Sequence, residues 1–426
     1  MNVDAITTYL KNAVRQFALV VPPNHRVWSD VKYHDGRVNP STRPDLYEYI
    51  VWGQSKITSF TEFSSLLESD TDYKEFYAAL EASNLARQTW TKPYSIAINL
   101  LEEYLNQVTQ ITYDHDVAKK ISENFVNFVK SKKSTLVMFS VVRGLTMDFN
   151  EIVFDEGTKL RKISDEESSI LCRQLVDLHA NDNFPQNNIV VEHAVVCQLG
   201  VYDTNEPHRV MDIFDQIVLA LQLLRNEKVS REYMYHYYPF SGELGQDVDT
   251  RIYRGKATKR PARHSTYELH QSEIGDLTRI VKLLDNPLVS EKIETCIKRF
   301  NGAAIRIGYE YEDMLLDLFI ALEALYDSVA GSSGYSIRMR AAALLEGSLE
   351  DRQHTIYLIK DGYDCRSKIV HGSKYKKTHT KLKLDFEELV DEIYNLTRKS
   401  IVKVLEFGAL HGRPMVAMDF DNLLLS

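Results

Sequence analysis

The sequence predicts an α+β protein, mostly α, in which a helical N-terminal region and a smaller α+β unit precede a C-terminal helical bundle. Three observations lead there. Apolar residues recur at helical spacing through most of residues 1–132, and again from about residue 268 onward. Between these stretches the period shortens to β-branched runs punctuated by turn residues. The chain has 426 residues, 44% apolar and 26% charged, enough for two or three domains and a sizeable core. The boundaries read this way are 1–132 for the helical region and 133–265 for the α+β unit, which ends in a basic linker. The bundle follows over 266–410 and a tail over 411–426.

In the first region MNVDAITTYLKNAVRQFALV is amphipathic, and Pro22, Pro23, Pro40 and Pro44 then break the chain into loops. Helices are expected at TSFTEFSSLLES and DYKEFYAALEASN. Another is expected at YSIAINLLEEYLNQVTQI, where Ile98, Leu101, Leu105 and Val108 share a side. DHDVAKKISENFVNFVKSK follows, its lysines at the C-terminal end where the helix dipole favours cations. The period changes at STLVMFSVVRGLTM, EIVFD and KLRKIS, with Gly144 and Asp155-Glu156-Gly157 as turns. SDEESSILCRQLVDLH returns to helix with Ser164 and Glu167 placed as a capping box. NIVVEHAVVCQLGVY reads as a strand, HRVMDIFDQIVLALQLLRNE as a helix and REYMYHYYPF as extended chain. His193, in an apolar strand, reads as a satisfied core histidine rather than a ligand.

Between Gly242 and Thr266 the apolar pattern lapses. Six Lys or Arg residues and no acid occupy Arg251 to Arg263, either a solvated linker or an arm that meets a phosphate backbone. The bundle then runs through EIGDLTRIVKLLDN, ended by Asn286-Pro287, and LVSEKIETCIKRFNGA, with Gly302 as its expected C-terminal cap. The apolar run Met314 to Val329 and the segment YSIRMRAAALLEGS come next. HTIYLIKDGYDCRSKIVHG precedes DFEELVDEIYNLTRKSIVKVLEFG, where Asp385 and Glu388 are spaced as an N-cap pair. The tail GRPMVAMDFDNLLLS is apolar enough to dock on the fold.

Several function classes recede on these grounds. No apolar run reaches the ~18 residues of a membrane helix, and the N-terminus has no signal-peptide core, so a cytoplasmic protein is expected. Cys172, Cys197, Cys296 and Cys365 lie far apart and read as free thiols. A net charge of −9 confines any nucleic-acid contact to a local patch. No metal-ligand motif stands out in the bundle, and no cofactor is expected.

The stretch with chemistry in it is DGYDCRSKIVHGSKYKK, Asp361 to Lys377. Arg366 and His371 are separated by four residues, and seven Lys or Arg residues with no acid lie from Cys365 to Leu384. Residues five apart differ by about 140° around a helix, so Arg366 and His371 do not share a face, whereas Ser367 shares the face of His371. Gly372 is expected to end the helix. One helix makes half a site. Two copies about a two-fold axis would bring two histidines and two arginines together. RNA carries its own nucleophile, the 2′-OH. Histidine as a side-chain type titrates near ~6.5 and suits proton transfer, while the arginine fork suits phosphoryl oxygens.

RSKIVH resembles the R-x(4–6)-H motif of the HEPN superfamily of helical ribonucleases and RNA-binding domains. EDMLLDLFIALEALYDS, SIRMRAAALLEG and IYLIKDGYDCRSKIVHGSKYK, in that order within roughly residues 290 to 408, resemble its ApeA-like branch of prokaryotic anti-phage proteins. The resemblance implies a C-terminal HEPN bundle that dimerises and cuts RNA without metal, leaving a 2′,3′-cyclic phosphate. It implies Arg366 and His371 as the catalytic pair, with Glu323 as the acid of the facing helix. Ser367 stands at the polar position that many members fill with Asn. RNA, a second copy of the chain and a phage-derived or protein trigger are the partners implied, with no membrane. Some members are silent binders, so an RNA-binding or dimerisation module in a defence complex is the alternative.

Plainer roles stand beside these. His371 would cap helix carbonyls, and Arg366 would pair with Asp364, Glu323 or a partner's carboxylate. Glu323 would pair with Arg338 or Arg340. Lys368, Lys374, Lys376 and Lys377 would be either RNA-phosphate contacts or a solvated surface.

Overall fold

A computed structural model describes residues 2–20, 33–34, 37–38, 58–82, 93–108, 112–130, 133–163, 189–198, 206–225, 229–237, 267–306, 310–326, 333–345, 347–372 and 382–425. The helix expected from Ser164, the basic run Arg251–Arg263 and Cys172 lie outside the described residues. The fold is α+β and mostly α. The chain divides into two compact units. One comprises Met1–Val141, Glu151–Met211 and Tyr233–Gly255, and the other Val142–Asn150, Asp212–Glu232 and Lys256–Ser426.

The first unit begins with α1 (Val3–Val20), followed by the short antiparallel pair β1 (Tyr33–His34) and β2 (Arg37–Val38). Helices α2 (Thr58–Ser69), α3 (Thr71–Glu81), α4 (Pro93–Gln107) and α5 (His115–Lys130) pack around α1. The amphipathic pattern explains this arrangement. Ile6, Tyr9, Leu10, Ala13 and Phe17 fall on one face of α1 and are all buried. Tyr9 stacks on Phe76 at 4.5 Å, and Phe17 meets Phe63 edge-on at 5.2 Å. The Tyr9 hydroxyl donates to the Ala97 carbonyl at 2.6 Å, so the aromatic core leaves that polar atom satisfied.

Then come β3 (Lys133–Arg143), β4 (Leu145–Met147), β5 (Glu151–Val153), β6 (Thr158–Lys162), β7 (Ile189–Gln198), α6 (Glu206–Leu224), β8 (Ser230–Tyr237) and β9 (Tyr267–Leu269). Five strands form a sheet in the order β5-β6-β7-β3-β8. β6 runs antiparallel to β7 with Thr158 opposite His193, and to β5 with Leu160 opposite Ile152. His193 is the core histidine expected, 7% exposed, with its Nδ1 2.7 Å from the Thr158 hydroxyl. Its Nε2 lies 3.4 Å from a nitrogen of Arg209.

In the second unit β4 pairs parallel with β9, and Gly144, at φ +76°, makes the turn between β3 and β4. Helices α7 (Ile274–Leu284), α8 (Pro287–Arg306), α9 (Tyr311–Leu325), α10 (Ser333–Leu344), α11 (Leu349–Val370), α12 (Phe386–His411) and α13 (Ala417–Leu425) follow. The most apolar of them, α9, packs against α8, α10, α11 and α12, which bury its run of leucines, Met314 and Phe319. Asp385 and Glu388 form the expected capping box at the start of α12. The tail docks through α13 on α10. Phe420 is buried against Tyr326 at 5.1 Å, and Asp421 holds Arg340 at 2.9 Å.

One expectation is corrected. Gly302 does not cap α8, which runs on to Arg306. Its role is close approach: a β-carbon there would stand 3.0 Å from Asp317 Oδ2. Asp317 is a buried acid of α9 that binds Arg299 at 3.0 Å and also Arg306, both on α8. Without a side chain at 302, that carboxylate reaches the surface of α8.

Two outcomes follow from the packing. At Gly362 a β-carbon would meet Ile393 Cδ1 at 2.3 Å and the Phe319 ring at 3.0 Å. Gly362→Val should therefore destabilise the second unit by about 1–3 kcal/mol or more in urea denaturation. At His193, burial and then the neighbouring Arg209 push the imidazole pKa down, with Asp155 and Glu206 opposing in part. A depressed imidazole gives stability that is complete above the ordinary value of ~6.5 and is lost as pH falls below it. Wild type should lose more stability than His193→Gln between about pH 7.5 and 5.5. Equal losses would dismiss the histidine as the cause.

Candidate active site

The motif occupies the C-terminal part of α11, and the ends of that helix are fixed by local chemistry. At the N-terminus Ser348 Oγ accepts the Asp351 amide at 3.1 Å, and Asp351 Oδ2 accepts the Ser348 amide at 2.9 Å. At the C-terminus Gly372 takes φ +65°, which costs glycine little. His371 is left as the C-cap residue, its amide donating to the Ser367 carbonyl at 3.1 Å. Its imidazole is exposed, with no side-chain hydrogen bond or ion pair among the described residues.

Arg366 lies five residues earlier, half-buried. Its Nη2 is 3.6 Å from Glu323 Oε1 on α9, and its guanidinium carbon is 5.5 Å from the centre of the Tyr363 ring. Its Nε is buried without a hydrogen-bond partner. Arg366 and Glu323 thus come together, while His371 sits apart at the exposed helix end. Among the expected partners of Glu323, Arg340 is taken by Asp421 and by the Tyr326 carbonyl at 2.7 Å. Ser367 is half-buried and Lys368 exposed. Lys374, Lys376 and Lys377 lie outside the described residues.

Three neighbours escape a reading of the motif alone. Tyr363 is the platform beneath Arg366, itself held edge-on by Phe319 at 5.7 Å. Cys365 is buried, and that burial pushes its thiol up to about 11, so it is no nucleophile near neutral pH. Asp361 is 8% exposed with Oδ2 lacking a hydrogen-bond partner, an uncommon state for a buried carboxylate. Its signal in the sequence is positional. Leu358, Asp361 and Cys365 fall on one buried stripe of α11, where an apolar residue is the usual occupant.

No family model, curated protein or solved structure matches the chain.

The Arg366–Glu323 pair is about a quarter exposed on each side and not in close hydrogen-bond contact, so its worth to the fold is ~0–1 kcal/mol. Glu323→Gln is expected to change unfolding free energy by less than about 1 kcal/mol, read by urea denaturation. A larger loss would make Glu323 a structural residue.

Proposed function

We propose that the chain is a metal-independent endoribonuclease of HEPN type. It would work as a dimer through the C-terminal bundle, with the preceding residues as sensor or regulator in anti-phage defence or toxin-like growth arrest. The observation that carries this reading is the RSKIVHG segment, with its histidine exposed at a helix end. In the proposed reaction one His371 takes the proton of the ribose 2′-OH as its oxygen attacks phosphorus. The bond to O5′ breaks, and the His371 of the second copy gives O5′ a proton, leaving a 2′,3′-cyclic phosphate and a 5′-hydroxyl. Arg366 stabilises the charge developing on the phosphoryl oxygens through the quarter of its side chain that is exposed. Ser367 and Glu323 orient the pair, and Lys368, Lys374, Lys376 and Lys377 attract the RNA backbone.

A second reading has its own support: the arginine is already engaged by Glu323 and Tyr363 within one chain. On that view the bundle is a catalytically silent RNA-binding or dimerisation module in a defence complex.

Purified protein is expected to cut RNA in EDTA, and His371→Ala to slow cleavage by about 10²-fold or more with an unchanged melting temperature. Equal cleavage by that variant would sink the ribonuclease reading. Salt-dependent RNA binding with no product from either protein would favour the silent module.

A further inference from the structure

We propose, resting on the ribonuclease reading, that Tyr335 is the platform on which a base of the RNA stacks beside the phosphate to be cut. Among the described residues Tyr335 is the one Phe, Tyr or Trp side chain that is exposed, at 60%. Its place in the fold gives that exposure a meaning. Tyr335 stands in the first turn of α10. Position 334, just before it, has no β-carbon, and one there would stand 3.2 Å from the Tyr363 ring. The start of α10 therefore sits directly on the part of α11 that holds Arg366, whose guanidinium carbon is 5.5 Å from the centre of that same ring. The two helices are joined at their other ends, Leu344 and Leu349. Tyr335 is thus gathered with Arg366, Ser367 and His371 at the open end of one helical hairpin.

A contact within α10 sets the ring. Arg338, one turn on, places its guanidinium carbon 4.9 Å from the centre of the Tyr335 ring. One face of the ring is thereby covered by a cation, and the exposure belongs to the rest. A base laid on the open face completes a stack of base, phenol and guanidinium, the arrangement by which proteins hold unpaired bases without reading their sequence. A protein partner is the other class of occupant for an exposed ring. The guanidinium beneath favours the nucleic acid, because a base adds a π-face of its own and brings phosphate charge of the opposite sign. The stack also does what the motif cannot. Arg366 and His371 act on phosphate and ribose, and neither grips a base. A ring that holds the neighbouring base fixes the strand relative to them.

The test is RNA binding by the full chain in EDTA, in a His371→Ala background so that the strand stays whole, beside cleavage with His371 in place. Tyr335→Ala should weaken binding of a single-stranded RNA by about tenfold or more. In cleavage it should raise KM by a similar factor and change kcat by less. Tyr335→Phe should keep the affinity to within about twofold, since the ring stacks and the hydroxyl does not. A strand of abasic riboses should bind equally with and without the Tyr335→Ala change. Where Tyr335→Ala lowers the melting temperature, Tyr335→Leu takes its place, keeping bulk without an aromatic face. Unchanged RNA affinity in these variants, or an equal loss in Tyr335→Phe, would overturn the platform and leave the ribonuclease reading standing. Loss of a dimer in sedimentation, with RNA affinity kept, would assign the ring to a protein contact and overturn the platform too. Wild type that neither binds nor cuts RNA would overturn the ribonuclease reading, and the platform with it.

Discussion

The backbone of α11 lies directly against the side chains of Phe319 and Ile393 because position 362 carries no β-carbon. That approach sets where the rest of the helix goes. Gly362 and Arg366 are one turn apart on α11, and Phe319 and Glu323 are one turn apart on α9. The contact between glycine and ring therefore fixes the register in which arginine and glutamate meet. Tyr363 shares in it, wedged between Phe319 and the Arg366 guanidinium. Charge alone could not hold such a register, because a pair this exposed is worth at most about 1 kcal/mol. Apolar packing does the positioning, and the ion pair takes the place it is given.

The same register leaves His371 out. With Gly362 pinned to α9 and α12, the helix has only two more turns before Gly372 stops it, and His371 emerges at the end with an exposed ring. Arg366 faces inward and His371 faces water, as the ~140° between positions five apart requires. A chain built this way presents an arginine already oriented and a histidine without a side-chain partner among the described residues. The proposed two-fold pairing would supply that partner without asking either helix to unwind.

Much of this was legible in order along the chain. The capping pair Asp385 and Glu388, the stop at Gly372, the break at Asn286-Pro287 and the core role of His193 each depend on residues close in sequence or on simple alternation. Gly302, Gly362 and Asp317 were not legible, and for a shared reason. Each is defined by what stands across from it: a carboxylate over Gly302, a ring and a methyl over Gly362, two arginines on Asp317. Local pattern makes Gly302 a helix stop, whereas the acid of α9 makes it a gap into which a carboxylate fits.

Two of the four acids of α9 show how burial separates a residue that holds the fold from one that does not. Asp317 is 7% exposed and holds both Arg299 and Arg306. Removing it would leave half-exposed Arg299 to solvent and Arg306 to Glu310, and would empty a buried place between α8 and α9. It is tied to the fold. Glu323, six residues on, is a quarter exposed and stands 3.6 Å from its arginine. Its loss would cost the fold little, so stability alone gives weak reason for its position. What Glu323 does touch is the Arg366 fork, which it holds at 3.6 Å without a tight bidentate pair. A long contact to one quarter-exposed carboxylate, with an aromatic face below, leaves the guanidinium its charge, which is what the proposed phosphate contact would need.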